Sequence, residues 1–440
     1  MSRVDKLMKL FKKLLKPIEK DLSKPQRTHY ETYVMGMMLP NDKRRKSINA
    51  INELVGIKDQ SSLNRFLNGS KGEVAKGNWN NELSNRLKNR KVALVLDDTI
   101  LEHPYSEKME GVGSFYDHSK KQSIDGHQVV TATLVDIETK EMHPLDITPY
   151  LKVENFLNGC NCKRCRQVQH RVSQLGVKPC RCKKCKIMDF QTKIQIAQRI
   201  ILAAKTKFDV VFVLMDSWYA SDDMLDTIGN ITYVSELKNN RWVYKLEHSA
   251  SGIRDVPEFP RIHTGSRYQK MARKLGWAKI KEIAEEALND GRFIDRTDNH
   301  TENMLVNFTK EYPLNLAFTN GRILNIRMFY NPKDKEFKFL CSNKLDLASE
   351  DFITLWRMRW QIEEFHKDVK DLGLGEYQLR KLKTVLIHGH IAIVAYCLLK
   401  EFLANSVEFF GQVLHTIGEC SRKIKELLFY RHTRINLWAG

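Results

Sequence analysis

Over the first 24 residues, apolar positions recur at helical spacing. Val4, Leu7, Met8, Phe11, Leu14, Leu15 and Ile18 share one side, and lysines fill the other. This predicts a basic amphipathic helix that packs on the fold, faces DNA or lies on a membrane surface. Residues 43–70 read as helix, short turn, helix. Residues 47–55 are apolar-periodic, Gly56 breaks the pattern, and Ser61 or Ser62 can cap residues 63–67. Such a pair suits either a DNA-reading helix-turn-helix or a plain helical hairpin.

From residue 91 the texture changes. Residues 92–96 and 210–215 are unbroken apolar runs of strand length, and each ends in acid: Asp97 and Asp98 after the first, Asp216 after the second. Residues 128–135, 142–147 and 231–237 read as further strands, and 194–204 and 221–228 as helices. This order predicts an α/β fold built on a mixed sheet. Residues 238–344 are less regular, with a helix near 280–287 and strand-like pieces at 323–330 and 337–341. A long helix then starts at Ser349, a good N-cap, with Glu350 and Asp351 in the first turn where the helix dipole favours them. It runs to about Leu372, where Gly373 and Gly375 end it. Residues 384–399 are apolar, but the run is too short for a span and is interrupted by His388, Gly389 and His390. A buried helix is expected there, with no membrane association.

The expected organisation has five parts. An N-terminal helical DNA-binding region (1–85) precedes the first part of the catalytic core (86–237), which carries a Cys-rich insert (155–188). A β-rich insertion (238–344), the core's C-terminal helices (345–405) and a basic helical tail (406–440) follow.

Composition is that of an ordinary globular chain and excludes disorder, collagen-like repeats and coiled-coil rods. Lys and Arg number 72 against 53 Asp and Glu, a formal charge of +19, which points to a polyanionic partner. Lysines throughout the N-terminal stretch leave no uninterrupted apolar region of the kind a signal peptide needs. A cytoplasmic, nucleoid-associated protein is expected.

Six of the nine cysteines fall between Cys160 and Cys185. Cys160, Cys162 and Cys165 repeat as Cys180, Cys182 and Cys185, a doubled C-x-C-x2-C with metal-ligand spacing. Thiolates select zinc, so a structural Zn²⁺ module of one or two ions is expected, its flanking Lys and Arg touching DNA. An iron–sulfur cluster and free thiols in a loop are the alternatives. Cys341, Cys397 and Cys420 are scattered and expected to be buried.

Asp98 and Asp216 stand at the C-terminal ends of the two most apolar strands, where α/β proteins place their sites. Two acids there repel unless a cation neutralises them, and hard carboxylate oxygens suit Mg²⁺ or Mn²⁺. Each alone also fits a turn or cap. On the long helix, at about 100° per residue, Trp356, Arg359, Glu363 and Lys370 lie within an arc of about 60°. That polar stripe borders the apolar set Leu355, Met358, Ile362, Phe365 and Val369. Trp218, two residues after Asp216, could stack on a base or pack in the core. His127, at a turn before a strand, is expected to be hydrogen-bonded and structural.

The stripe Trp356-x2-Arg359-x3-Glu363-x6-Lys370 resembles the Tyr-x2-Arg-x3-Glu-x6-Lys signature of DDE transposases of bacterial cut-and-paste insertion sequences. Trp356 replaces the Tyr, keeping the ring and losing the phenol that would contact a phosphate. Leu96-Asp97-Asp98-Thr99 resembles the segment around that family's first catalytic Asp, and residues 214–219 resemble the second. Asp98 is preferred over Asp97 because the family pattern has Asp directly before Thr. The resemblance implies a ribonuclease H-like core with a β-rich insertion. It also implies two-metal phosphoryl transfer that cuts at transposon ends and joins the 3′-hydroxyl to target DNA. Asp98, Asp216 and Glu363 would hold two Mg²⁺ or Mn²⁺ ions, and Trp356, Arg359, Lys370 and Trp218 would face double-stranded DNA. It favours a homodimer acting in trans. A metal-dependent nuclease without strand transfer and an inactive zinc-containing DNA-binding derivative are the competing readings.

Overall fold

The computed structural model describes residues 2–40, 46–55, 60–69, 71–106, 108–117, 119–152, 155, 190–246, 248–249, 252–253, 256–260, 266–296, 305 and 307–429. Five helices open the chain: α1 (Arg3–Glu19), α2 (Lys24–Met38), α3 (Ile48–Val55), α4 (Gln60–Asn68) and α5 (Lys71–Arg86). A capping box at Ser2 starts α1, and Leu7, Phe11, Leu15 and Ile18 bury its apolar stripe. Of the three roles open to this helix, it takes the packed one. Residues 48–55 and 60–68 form the expected helix pair, with Ser61 and Ser62 inside the second helix and not at its cap.

The core sheet follows: β1 (Lys91–Glu102), β2 (Gly113–Asp117), β3 (Gln122–Asp136) and β4 (Met142–Tyr150). After the Cys-rich segment come α6 (Lys193–Lys205), β5 (Asp209–Met215), α7 (Asp222–Ile228) and β6 (Thr232–Leu237). Thr192 caps α6 through a capping box, and the Ser221 side chain accepts from Met224 N in α7. The strand order is β4-β3-β1-β5-β6, antiparallel among the first three and parallel from β1 to β6. This mixed sheet is consistent with the ribonuclease H-like core that was expected.

The next segment holds β7 (Trp242–Lys245), β8 (His248–Ser249), β9 (Gly252–Ile253), α8 (Ser266–Lys274), β10 (Trp277–Lys279), α9 (Ile280–Asn289), β11 (Ile294–Asp295), β12 (Lys310–Phe318), β13 (Ile323–Asn331) and β14 (Glu336–Ser342). Five of these strands continue the core sheet outward from β6 in the order β14-β13-β12-β7-β10, β11 pairs with β12, and β8 and β9 form a separate hairpin sheet. Four helices close the chain: α10 (Ser349–Asp371), α11 (Leu382–Ala404), α12 (Ser406–Phe410) and α13 (Ile417–Phe429). The N-cap of α10 is Ala348, not Ser349, which forms the first helical residue. Gly373 has φ +97, as a helix-ending glycine should, and a Cβ there would lie 2.1 Å from Lys46 Cγ.

Both sheet faces are covered. Ala93, Val95, Leu214 and Val234 face α10, α11 and the N-terminal helices. Val92, Leu94, Leu96, Val213 and Met215 face α6, α7 and α9. On α10, Phe352, Ile353, Leu355, Met358, Ile362, Phe365 and Val369 are buried, each stabilising by about 1.5–3 kcal/mol. α11 is long and apolar enough to cross a membrane, and 78% of its apolar window is buried inside the fold. Its His388 is wholly buried, donating from Nε2 to Gly373 O at 2.9 Å and accepting at Nδ1 from the Tyr33 hydroxyl at 2.8 Å. The N-terminal helices are thereby tied to the end of α10.

Candidate active site between β1, β5 and the long helix

In the parallel register Leu96 pairs with Met215, so Asp97 and Asp216 are the next step along each chain; β1 runs on to Glu102, which sets Asp97 and Asp98 in mid-strand and not at the strand end expected, while Asp216 directly follows β5. Side chains alternate along a strand. Asp97 and Asp216 therefore share the face of Val95 and Leu214, the face that α10 covers. From α10, Arg359 and Glu363 project toward the same place, one turn apart. Arg359 Nη1 donates to Asp97 Oδ2 at 3.4 Å, and Nη2 donates to Glu363 Oε1. The guanidinium is 5% exposed and its carbon lies 4.5 Å from the Trp356 ring centroid. Thr131, opposite Asp97 on β3, is buried and donates to Asp97 O at 3.1 Å. The adjacent His366 Nε2 lies 2.7 Å from the Thr131 hydroxyl.

Burial dominates the acids' titration. It pushes the Asp97 carboxyl up to about 7, opposed by Arg359 and reinforced by the charges of Asp98 and Asp216. Burial also raises Glu363, against Arg359 and Lys338, with Asp216 adding to the rise. Asp216 thus acts on both Asp97 and Glu363.

Asp98 takes the opposite face of β1. Its carboxylate accepts from Lys193 Nζ at 3.2 Å, from the Tyr219 hydroxyl at 3.1 Å and from Gln128 Nε2 at 2.5 Å. Lys193 Nζ also lies 4.4 Å from the Trp218 ring centroid, and Lys238 Nζ lies 5.1 Å from it. Trp218 is 51% exposed, an accessible ring flanked by two cations beside the acids. Trp356 is 3% exposed and belongs to the core under Arg359. Lys338, on β14, pairs with Glu236 at 3.2 Å and lies 5.3 Å from the Trp356 centroid. Lys370, two turns beyond Glu363, is half-buried, which lowers its pKa against the pull of Glu102 and Asp117.

The structure therefore brings Arg359, Glu363 and Asp216 together with Asp97. It sets Asp98 on the other side of β1, buries Trp356, exposes Trp218 and places Lys370 farther along the helix. Lys193, Lys338 and Gln128 are further site neighbours that one-dimensional spacing did not single out. Cys160, Cys162, Cys165, Cys180, Cys182 and Cys185 lie outside the described residues. His127 is buried, its Nε2 donating to Glu110 O at 2.9 Å and its Nδ1 accepting from Tyr377 Oη at 2.6 Å. Cys341 and Cys420 are buried and Cys397 is partly so.

Among the described residues, no three His, Cys, Asp or Glu side chains stand close enough to hold a metal ion as arranged. The donor chemistry nonetheless fits a hard divalent cation. Asp97 and Glu363 already gather around one positive charge, the Arg359 guanidinium, and Asp216 adds a third carboxylate to their field.

Two family models match the chain. One, described as archaeal putative transposase ISC1217, covers residues 177–408. The other, described as DDE superfamily endonuclease, covers residues 17–273. The chain belongs to the DDE transposases. The first match includes Asp216, Arg359, Glu363 and Lys370, and the second includes Asp97, Asp98 and Asp216. As a DDE transposase the chain is a polynucleotidyl transferase or endonuclease whose substrate is DNA, and DDE endonucleases use divalent metals, commonly Mg²⁺. No curated protein matches the chain.

Proposed function

We propose that this DDE transposase cuts DNA at the ends of its element and joins the freed 3′-hydroxyl to target DNA, with Asp97, Asp216 and Glu363 as its catalytic carboxylates. The observation that carries this reading is the register. Asp97 and Asp216 are neighbours on the sheet face that α10 covers, and Arg359 links Asp97 to Glu363. Preferring Asp97 to Asp98 follows from that face.

These carboxylates would hold two Mg²⁺ or Mn²⁺ ions, which when bound stabilise the attacking and leaving oxygens of phosphoryl transfer. The chain's own side chains orient the DNA. Lys370 and, once released from the acids, Arg359 hold phosphates, as a point charge and a planar fork respectively. Trp218 offers its exposed ring to a base, with Lys193 and Lys238 beside it for the backbone. Asp98 fixes Lys193 in that position.

The six clustered cysteines form a structural zinc module in this reading. Metal analysis of purified protein checks it: one or two zinc ions per chain are expected, and none would remove the module. The protein acts as a homodimer in the cytoplasm, on the nucleoid.

The test is an assay with labelled element-end DNA and a target plasmid. Mg²⁺-dependent cutting followed by joining supports the proposal. Cutting without joining makes the protein a nuclease. Binding without cutting in either metal makes it an inactive derivative.

A further inference from the structure

A cavity of about 490 Å³ lies where the core sheet meets the inserted segment. The start of α7, the end of β6, the turn before β7 and the β12–β13 turn bound it. Its volume falls in the range of small-molecule sites. Part of the lining is aromatic. The Trp242 and Phe259 ring centroids lie 6.0 Å apart, and Phe259 is held edge-on against Trp277 at 4.9 Å. The charged lining is Lys238, Arg241 and Arg322 against the one carboxylate of Asp222. Asp222 already accepts from Asn320, and Arg322 is paired with Asp226. Arg241 donates from Nη2 to Ala220 O at 2.9 Å, and among the described residues it forms no salt bridge. Its position is thus fixed while its charge is not neutralised.

Tyr233, on β6, also lines the cavity and is 1% exposed. Its hydroxyl has no hydrogen-bond partner among the described residues. That hydroxyl lies in the field of Arg322 and Asp222, both on the cavity wall, which places it at the same wall. A buried hydroxyl without a partner is costly, and such a group marks a place where something else completes the bond.

We propose that this cavity binds a free nucleoside monophosphate, with the base against Trp242 and Phe259, the Tyr233 hydroxyl at a polar edge of the base and Arg241 on the phosphate. Aromatic faces accept any base, and a guanidinium fork suits phosphate oxygens. Lys238 and Arg322 add to the positive field, which matches a group carrying about −1.5 to −2 charge at pH 7. The cavity uses none of Asp97, Asp216 or Glu363, so the site stands whichever acids are catalytic.

The experiment is isothermal titration calorimetry on the full chain in EDTA, with dAMP, deoxyadenosine and inorganic phosphate as separate probes. One dAMP per chain should bind with a Kd of about 0.5 mM or below, and the other two probes at least about tenfold more weakly. Tyr233→Phe should weaken dAMP binding by about fivefold or more. Its melting temperature without ligand should be no lower than the parent's, because the hydroxyl it removes has no partner. Arg241→Gln, which can still donate to Ala220 O, should weaken dAMP about tenfold and leave deoxyadenosine within about twofold. A saturating DNA duplex of about 30 base pairs should leave dAMP binding within about twofold. Loss of dAMP binding on that duplex would assign the cavity to a nucleotide of the bound DNA and overturn the proposal. So would the absence of dAMP binding by the folded parent, or parental dAMP affinity in both variants.

Discussion

Arg359 donates to Asp97 at 3.4 Å across 262 positions of sequence, from the middle of α10 to the middle of β1. The same guanidinium holds Glu363. One cation thus lies between two of the carboxylates proposed to be catalytic. Asp97→Asn, Asp216→Asn and Glu363→Gln should each reduce cutting of labelled end DNA by about 10²-fold or more, with gel-shift affinity preserved. Asp98→Asn should act through Lys193 and cost less. An equal loss from Asp98→Asn and full activity of Asp97→Asn would return the first carboxylate to Asp98.

Removing the guanidinium takes from Asp97 its counter-charge and leaves Glu363 with only Lys338. Arg359→Gln should destabilise the fold by about 2–3 kcal/mol, less than for a wholly buried pair because Glu363 is partly exposed. The acids then need another cation. Millimolar Mg²⁺ should raise the melting temperature of the variant more than that of the parent, as read by scanning calorimetry with and without EDTA.

Two tryptophans in the same site should respond in opposite ways. Trp356 is buried, and Trp356→Ala should cost about 3–5 kcal/mol of stability in denaturant titration. Trp218 is half exposed, and Trp218→Ala should change stability by no more than about 0.5 kcal/mol. It should weaken binding of single-stranded or distorted DNA by about 1–3 kcal/mol in fluorescence anisotropy.

Much of the core was legible in the chain. Residues 92–96 and 210–215 are strands because continuous apolar runs of that length are what a doubly covered sheet requires. The same property hid the face of each acid. A strand buried on both sides shows no alternation, so nothing in the one-dimensional pattern told Asp97 from Asp98. Only pairing with β5 separates them. The strand β12 escaped notice because Glu311, Pro313 and Asn315 interrupt its apolar positions. Lys193, Lys238 and Lys338 were not distinguishable within a chain so rich in lysine. Their roles exist only in three dimensions.

Away from the site, Glu31 sits buried on α2 with a side-chain hydrogen bond to Glu19. Burial, with the charge of Glu19, pushes its carboxyl from 4.5 up to about 7. Between those values the folded chain holds a proton that the unfolded chain releases, so stability falls as pH rises through that window. Glu31→Gln should remove that component of the pH dependence. Its stability relative to the parent should improve by about 2–3 kcal/mol from pH 5 to pH 8 in paired denaturant titrations.

The sheet does not stop at β6. Val234 and Glu236 pair with Ser342 and Leu340, and the ladder continues from β14 to β10. A shortened chain that joined residue 237 to residue 345 would leave β6 as a raw border, its N–H and C=O groups turned toward water and open to strands from other molecules. The segment between the second acid and the long helix thus serves as a selvedge. Excising it would leave a core prone to stack edge to edge.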